Sequence, residues 1–150
     1  MKFNKKYKSF NFDRRKKASS LNYIIIHYTA MKSYKEALDH LCEKKNKSSS
    51  HFFISKSGEI FYLVDIMKRA WHAGRSYWNG IIDINSESIG IEMDNSGHHY
   101  NFENYTPKQI NSLIKLLNYI FKNYKINQQN ILGHSDVAPY RKIDPGEKFP

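Results

Sequence analysis

Apolar residues along this chain recur at strand-like and helix-like spacings. Tyr23–Ile26 is a continuous apolar, β-branched run, which predicts a strand covered on both faces. Ser88–Met93, with the sequence SIGIEM, predicts a second buried strand. His51–Ser55 and Glu59–Val64 flank Lys56-Ser57-Gly58, a pattern typical of a hairpin.

Two helices are predicted between these strands and near the C-terminus. Ser33 with Glu36 forms a capping-box signature, and helical spacing then joins Tyr34, Ala37, Leu38, Leu41 and Cys42. Thr106 with Gln109 forms a second capping box, with Pro107 at the first helical position. The apolar stripe that follows consists of Ile110, Leu113, Ile114, Leu117, Ile120, Phe121 and Tyr124. Residues 71–87 lack periodicity and predict a long loop, and the chain is expected to be irregular after Gly133.

Length and charge suggest one domain with a basic beginning. A chain of 150 residues is long enough to bury one substantial core. Residues 1–17 hold eight Lys or Arg and one Asp, a net +7 of the total +10, so residues 18–150 carry only +3. We therefore divide the chain into a basic N-terminal arm, residues 1–20, and a domain of residues 21–150. We interpret the arm as a solvated segment, rather than as a binder of an anionic partner, with aromatic residues that pack part of it on the domain.

Several classes of protein are disfavoured by the same composition. No run approaches 18 consecutive apolar residues, so we expect no transmembrane segment. The start MKFNKKYKSF lacks the apolar core of a signal peptide. A chain native as written would be cytoplasmic, and one from which a signal had been removed would be periplasmic. Cys42 is the single cysteine and is expected to be a structural thiol.

The candidate chemistry begins with histidines and carboxylates. His27 follows the first strand, at a place from which α/β sheets present functional groups. His134, Lys142 and Asp144 lie in the late segment GHSDVAPYRKIDPG. Two imidazoles and one carboxylate can hold zinc and leave a fourth position open. The carboxylate could be Asp144, in a stiff turn before Pro145-Gly146, or Asp136, which is nearer to His134.

A further carboxylate and histidine are candidates by their surroundings. Glu92 shares a strand face with Gly90, so the glycine leaves room for an approaching group. A solvated strand-end residue is the plain interpretation of Glu92 alone, whereas beside a metal it would serve as a general base. His72, beside Trp71, is the best candidate for a histidine that contacts substrate, and His51 is expected to pack behind the site.

Five segments in consistent order carry a resemblance to a known family. They are IIIHYTA, SSHFFISKSGEIFYLV, WHAG, DINSESIGIEM and GHSDVAPYRKIDPG. Together they resemble the AmpD-type zinc N-acetylmuramoyl-L-alanine amidases, and the segments SFNFDRRKKASS and SYWNG are most similar to the branch of broad-specificity cell-wall amidases. The resemblance implies an α/β fold, with a central mixed β-sheet flanked by helices and zinc in a surface groove.

The resemblance also implies roles for individual residues. His27, His134 and Asp144 would bind Zn2+, Glu92 would be the base, and Lys142 would stabilise the oxyanion. Tyr28, Trp71, His72 and Trp78 would line the groove. The implied partners are peptidoglycan or muropeptide fragments, and we expect a monomer with no nucleic-acid partner. A non-catalytic peptidoglycan-binding module of the same fold is the alternative. Because the family domain usually continues past the DPG turn, a further C-terminal segment or wall-binding domain is also expected.

Overall fold

A five-stranded mixed sheet forms the centre of the computed structural model, which describes residues 1–16 and 21–150. Its strands are β2 (Tyr23–Tyr28), β3 (Phe52–Ile54), β4 (Ile60–Tyr62), β6 (Ser88–Met93) and β7 (Ile131–Gly133), and their order is β4-β3-β6-β2-β7. The β3 and β4 strands form the predicted antiparallel hairpin, and all other neighbours are parallel. The expected α/β fold with a central mixed sheet is confirmed.

Helices cover the two faces of this sheet. The long helix α3 (Pro107–Asn123) packs Leu113, Leu116 and Ile120 against the face formed by the even-numbered residues of β2. On the opposite face, α1 (Tyr34–Cys42) packs Leu38 against the hairpin. Every residue of β2 is buried, as its unbroken apolar run predicts. Strand alternation therefore points His27 away from α3 and toward the face of α1.

The N-terminal residues make specific contacts with the domain. The ring of Phe3 lies 5.4 Å from that of Phe52, and Tyr7 lies 5.9 Å from Phe61. Strand β1 (Phe12–Arg14) pairs antiparallel with β5 (Lys68–Ala70) in a separate two-stranded sheet. Part of the predicted arm thus packs on the domain through its aromatic residues, although Phe10 is exposed. The proposed division at residue 20 falls on residues 17–20, which lie outside the described part of the chain.

The structure differs from the predicted pattern in several short elements. The predicted loop 71–87 ends in a short helix, α2 (Ile84–Glu87), and residues expected to be irregular form α4 (His134–Val137). Strands β1, β5 and β7 were not predicted, because each is short and pairs with a segment distant in sequence, whereas the equally short β3 and β4 flank a recognisable turn. His27 lies inside β2, one residue before its end, rather than beyond it. Within residues 1–16 and 21–150, no helix is long and apolar enough to cross a membrane.

Candidate metal centre

The candidate residues meet at the carboxyl ends of three parallel strands. His27 in β2 is directly paired in register with Glu92 in β6. His134 is the first residue of α4, immediately after β7, the other neighbour of β2. The C-terminal segment then returns to the same edge and adds Lys142 and Asp144 to the lining of the cleft. Parallel strands thus bring together residues more than a hundred positions apart.

Three side-chain atoms converge within this cleft. The Nδ1 atoms of His27 and His134 are 2.9 Å apart, and both lie close to Asp144 Oδ2, at 3.2 and 3.0 Å respectively. All three side chains are buried. Asp136 instead accepts a hydrogen bond from the Gly133 N–H at 2.7 Å. Of the two carboxylates that the sequence left open, Asp144 is the one that lies beside both histidines.

Hydrogen bonds elsewhere determine which nitrogen of each histidine carries the proton. His134 Nε2 lies 3.0 Å from the Ala73 carbonyl oxygen, which only accepts, so Nε2 carries the proton. His27 Nε2 lies 3.0 Å from His72 Nδ1, and His72 Nε2 lies 3.2 Å from Ser88 Oγ. Because the Ser88 hydroxyl donates to the Ile84 carbonyl, its oxygen is free to accept from His72. His72 Nδ1 then accepts from His27 Nε2–H. Because a neutral imidazole carries one proton, and both His27 and His134 carry it on Nε2, their Nδ1 atoms are unprotonated.

The charge state of this cluster suits a bound cation. Burial, reinforced by the nearby His134, lowers the pKa of His27 to about 4, so its imidazole is neutral near pH 7. Two imidazole lone pairs and a carboxylate oxygen therefore face one another with no proton between them. A His-His-Asp donor set of this kind fits a divalent metal ion such as zinc.

Glu92 lies beside this donor set. Its Oε2 atom is buried and has no hydrogen-bond partner among the residues that the structure describes. Burial and the negative charge of Asp144 raise the pKa of Glu92 well above its usual value, and Lys142 opposes that rise. Buried carboxylate oxygens are nearly always hydrogen-bonded, and the described residues supply no donor to this one. A water molecule or a substrate N–H at this position would satisfy it.

The space beside Gly90 is filled by His72. A Cβ atom on Gly90 would lie 2.4 Å from His72 Cγ, so the room expected for an approaching group belongs to this ring. His72 is buried between His27 and His51, with ring centroids 5.1 and 5.7 Å away. It touches the cleft but also bonds directly to a candidate ligand. His51 packs behind it, as expected, and its Nδ1 accepts from the Gly90 N–H.

The aromatic candidates lie in different surroundings. Tyr28 is among the residues that line the cleft; its ring packs on Phe102, and its hydroxyl bonds His98 Nδ1 at 2.9 Å. The backbone of Trp71 is held by Ser49 Oγ, whereas Trp78 lines a separate apolar groove. Their contact with substrate stays a prediction. His40, which was not among the candidates named from the sequence, is a residue of α1 that also lines the cleft.

Comparison with known proteins finds relatives over most of this chain. The profile described as N-acetylmuramoyl-L-alanine amidase matches residues 17–147. The chain is 35% identical to the N-acetylmuramoyl-L-alanine amidase AmiD of Escherichia coli, over 94% of this chain and 56% of that protein. It is 33% identical to the 1,6-anhydro-N-acetylmuramyl-L-alanine amidase AmpD of Haemophilus influenzae, over 93% of this chain and 83% of that protein.

Solved structures show the same fold. A crystal structure of an AmpD derivative covers all of this chain and 95% of its own, with a TM-score of 0.84 and 26% identity. The structure of E. coli AmiD with anhydro-N-acetylmuramic acid-L-Ala-D-γ-Glu-L-Lys has a TM-score of 0.78 and 36% identity. It covers 87% of this chain and 54% of that one. The chain thus spans about half the length of AmiD and most of the length of AmpD.

Proposed function

This chain belongs to the N-acetylmuramoyl-L-alanine amidase family, and from that premise we propose that it hydrolyses the amide bond between a muramic acid residue and L-alanine. The observation that carries the proposal is the convergence of three metal-binding atoms beside an unpaired carboxylate oxygen. Both histidines present unprotonated Nδ1 atoms there, and Asp144 Oδ2 lies 3.2 Å from that of His27 and 3.0 Å from that of His134.

Peptidoglycan fragments are the proposed substrates. The solved AmiD complex contains an anhydro-N-acetylmuramic acid linked to a stem peptide that begins with L-alanine. We infer that this chain accepts N-acetylmuramic or 1,6-anhydro-N-acetylmuramic acid joined to such a peptide, in cell-wall turnover or recycling. Its cleft is polar and mixed in charge, with Lys142 and His40 available to an anionic peptide and Glu92 to an amide N–H.

Zinc is the metal that we propose for this site. His27 and His134 would bind it through Nδ1 and Asp144 through Oδ2, the atoms that already converge. When bound, zinc supplies Lewis acidity, which polarises a carbonyl group and makes a water molecule more acidic. The hydrogen bonds of both Nε2 atoms hold each ring in the orientation that this binding needs.

Glu92 is the proposed general base. Its raised pKa makes Glu92 a stronger base than an ordinary carboxylate, so it can take a proton from the attacking water. The water oxygen forms a bond to the carbonyl carbon of the muramic acid lactyl group. When the carbon–nitrogen bond breaks, Glu92 returns the proton to the nitrogen of L-alanine. The products are the free sugar acid and the free stem peptide, so the protons balance.

Lys142 is the proposed partner of the developing negative charge. It lines the same cleft as Glu92, and its charge lowers the pKa of that residue. A fixed ammonium group beside the carbonyl oxygen stabilises the transition state more than the neutral substrate. Loss of one such group in comparable oxyanion sites costs about 3 to 4 kcal/mol.

Parallel digestion of two substrates tests the proposal. Purified peptidoglycan and anhydro-muropeptides are each incubated with the zinc-loaded protein, and the products are identified by mass spectrometry. We expect free stem peptides that begin with L-alanine. Binding without any release of peptide would favour the alternative, a non-catalytic peptidoglycan-binding module.

Metal analysis of two matched variants tests the choice of ligand. Asp144→Ala should lose bound zinc, because one of the three converging atoms is removed. Asp136→Ala, eight residues earlier, should keep it, because that carboxylate caps the Gly133 N–H instead. The reverse pattern would show that the wrong carboxylate has been assigned.

A further inference from the structure

One buried amide holds the main chain behind the metal centre. The Oδ1 atom of Asn85 accepts hydrogen bonds from the N–H groups of His72 and Ala73, at 3.2 and 2.8 Å. Because both partners are donors, the atom that faces them must be the oxygen of the amide. Asn85 lies in the short helix α2 and is 6% exposed.

The two residues held by Asn85 supply the outer partners of both candidate histidine ligands. His72 Nδ1 accepts from His27 Nε2–H, and the Ala73 carbonyl accepts from His134 Nε2–H. These two acceptors belong to adjacent residues of one chain segment. A shift of that segment would therefore disturb the tautomer and the ring orientation of both histidines together.

The position of Asn85 is itself fixed from the N-terminal side. Arg15 is buried and donates to the carbonyl oxygens of Asn85 and Ser86 at 2.9 and 3.0 Å. It also bonds the carbonyl oxygens of Ile66 and Ser88, so that all five of its N–H groups have backbone acceptors. The main chain at α2 is thus held on one side while the Asn85 side chain reaches toward residues 72–73.

We propose that Asn85 is a positioning residue for the metal centre: its amide oxygen, through residues 72–73, sets the tautomer and orientation of both His27 and His134. The proposal rests on the metal site of the proposed function. It adds a residue that touches none of the metal-binding atoms and is not itself part of the cleft lining.

Zinc affinity of substituted proteins tests this role. Asn85→Ala removes the acceptor, and we expect its zinc dissociation constant, measured by competition with a chromogenic chelator, to rise about 10- to 100-fold. Asn85→Asp keeps an oxygen in the same place and should recover most of the affinity. Ser86→Ala is the matched control, since its buried hydroxyl in the same helix donates to Asp83 and reaches neither histidine ligand. Ser86→Ala should bind zinc within twofold of the parent protein.

The histidine tautomers provide a second measurement that does not depend on zinc or on activity. In the metal-free parent protein, 15N NMR of the imidazole nitrogens should show His27 and His134 protonated at Nε2. In metal-free Asn85→Ala, both should become mixtures of tautomers. Protonation at Nδ1 in the parent protein, or unchanged zinc affinity in Asn85→Ala, would overturn the proposal. A parent protein that shows the expected tautomers but binds no zinc would instead count against the proposed function alone.

A variant of His72 keeps the test decisive if Asn85→Ala does not fold. His72→Asn retains an acceptor near the position of Nδ1, whereas His72→Leu retains none. We expect His72→Leu to weaken zinc binding at least tenfold and His72→Asn to remain within threefold of the parent protein. Equal affinities in the two variants would contradict the chain of hydrogen bonds from Asn85 to His27.

Discussion

Substitution of Gly90 by alanine should damage the metal centre without touching any candidate ligand. The new Cβ would lie 2.4, 2.6 and 2.8 Å from Cγ, Cδ2 and Nδ1 of the His72 ring. Contacts this short require the ring to move. It is enclosed by His27 and His51, so movement of the ring disturbs the hydrogen bond between His72 Nδ1 and His27 Nε2.

The expected magnitude follows from two opposing effects. Overpacking of a close-packed interior costs about 1–3 kcal/mol. Replacing glycine by alanine inside a strand stabilises the folded state by about 0.5–1 kcal/mol, because the unfolded chain loses conformational freedom. We therefore expect Gly90→Ala to lower the free energy of unfolding of the metal-free protein by roughly 1–2 kcal/mol. Its zinc dissociation constant should rise about 10- to 100-fold, as is usual when the partner of a ligand is disturbed.

A double-mutant cycle isolates the clash with His72. Urea unfolding is measured for the parent protein, Gly90→Ala, His72→Ala and the double variant. With the ring removed, the new methyl group has space, so Gly90→Ala should be neutral or stabilising in the His72→Ala background. The coupling energy should be about 1–3 kcal/mol. Equal costs of Gly90→Ala in both backgrounds, or unchanged zinc affinity in the single variant, would refute this reasoning.

Three further predictions concern chemistry and pH. Glu92→Gln should retain zinc and fold but lose turnover about a hundredfold or more; a rate near that of the parent protein would assign the base elsewhere. Lys142→Ala should lower kcat more than it raises KM in steady-state assays, as for an interaction made in the transition state; unchanged kcat would place this lysine outside the reaction. Burial lowers the pKa of His51 to about 3, with Arg15 adding to the effect. As the pH falls below about 6.5, His51 therefore gains a proton in the unfolded chain but not in the folded protein. The free energy of unfolding then falls by about 1.4 kcal/mol for each pH unit of acidification. His51→Asn should remove this part of the slope in urea titrations between pH 7 and pH 5, and an unchanged slope would contradict it.

The sequence by itself predicted the central strands and the long helix. These elements follow from local patterns, namely the isoleucine runs of β2 and β6 and the capping box at Thr106. Local patterns can be recognised without knowing how distant segments meet. Motifs in the chain also predicted His27, Glu92 and His134 as a group. The short strands β1, β5 and β7 were not predicted, because they form through pairing with distant partners rather than through their own periodicity.

Only the tertiary structure decided which groups share the cleft. Spacing along the chain favoured Asp136 over Asp144 by proximity to His134. The stiff turn at Asp144 and the family resemblance favoured Asp144 instead. In the fold the segment after α4 turns back and places Asp144 beside both histidines, while Asp136 accepts a hydrogen bond from the Gly133 N–H. The glycine at position 90 signalled open space, and the fold fills that space with His72. A sequence records which side chains are present, but hydrogen-bond partners depend on segments that meet only when the sheet is assembled.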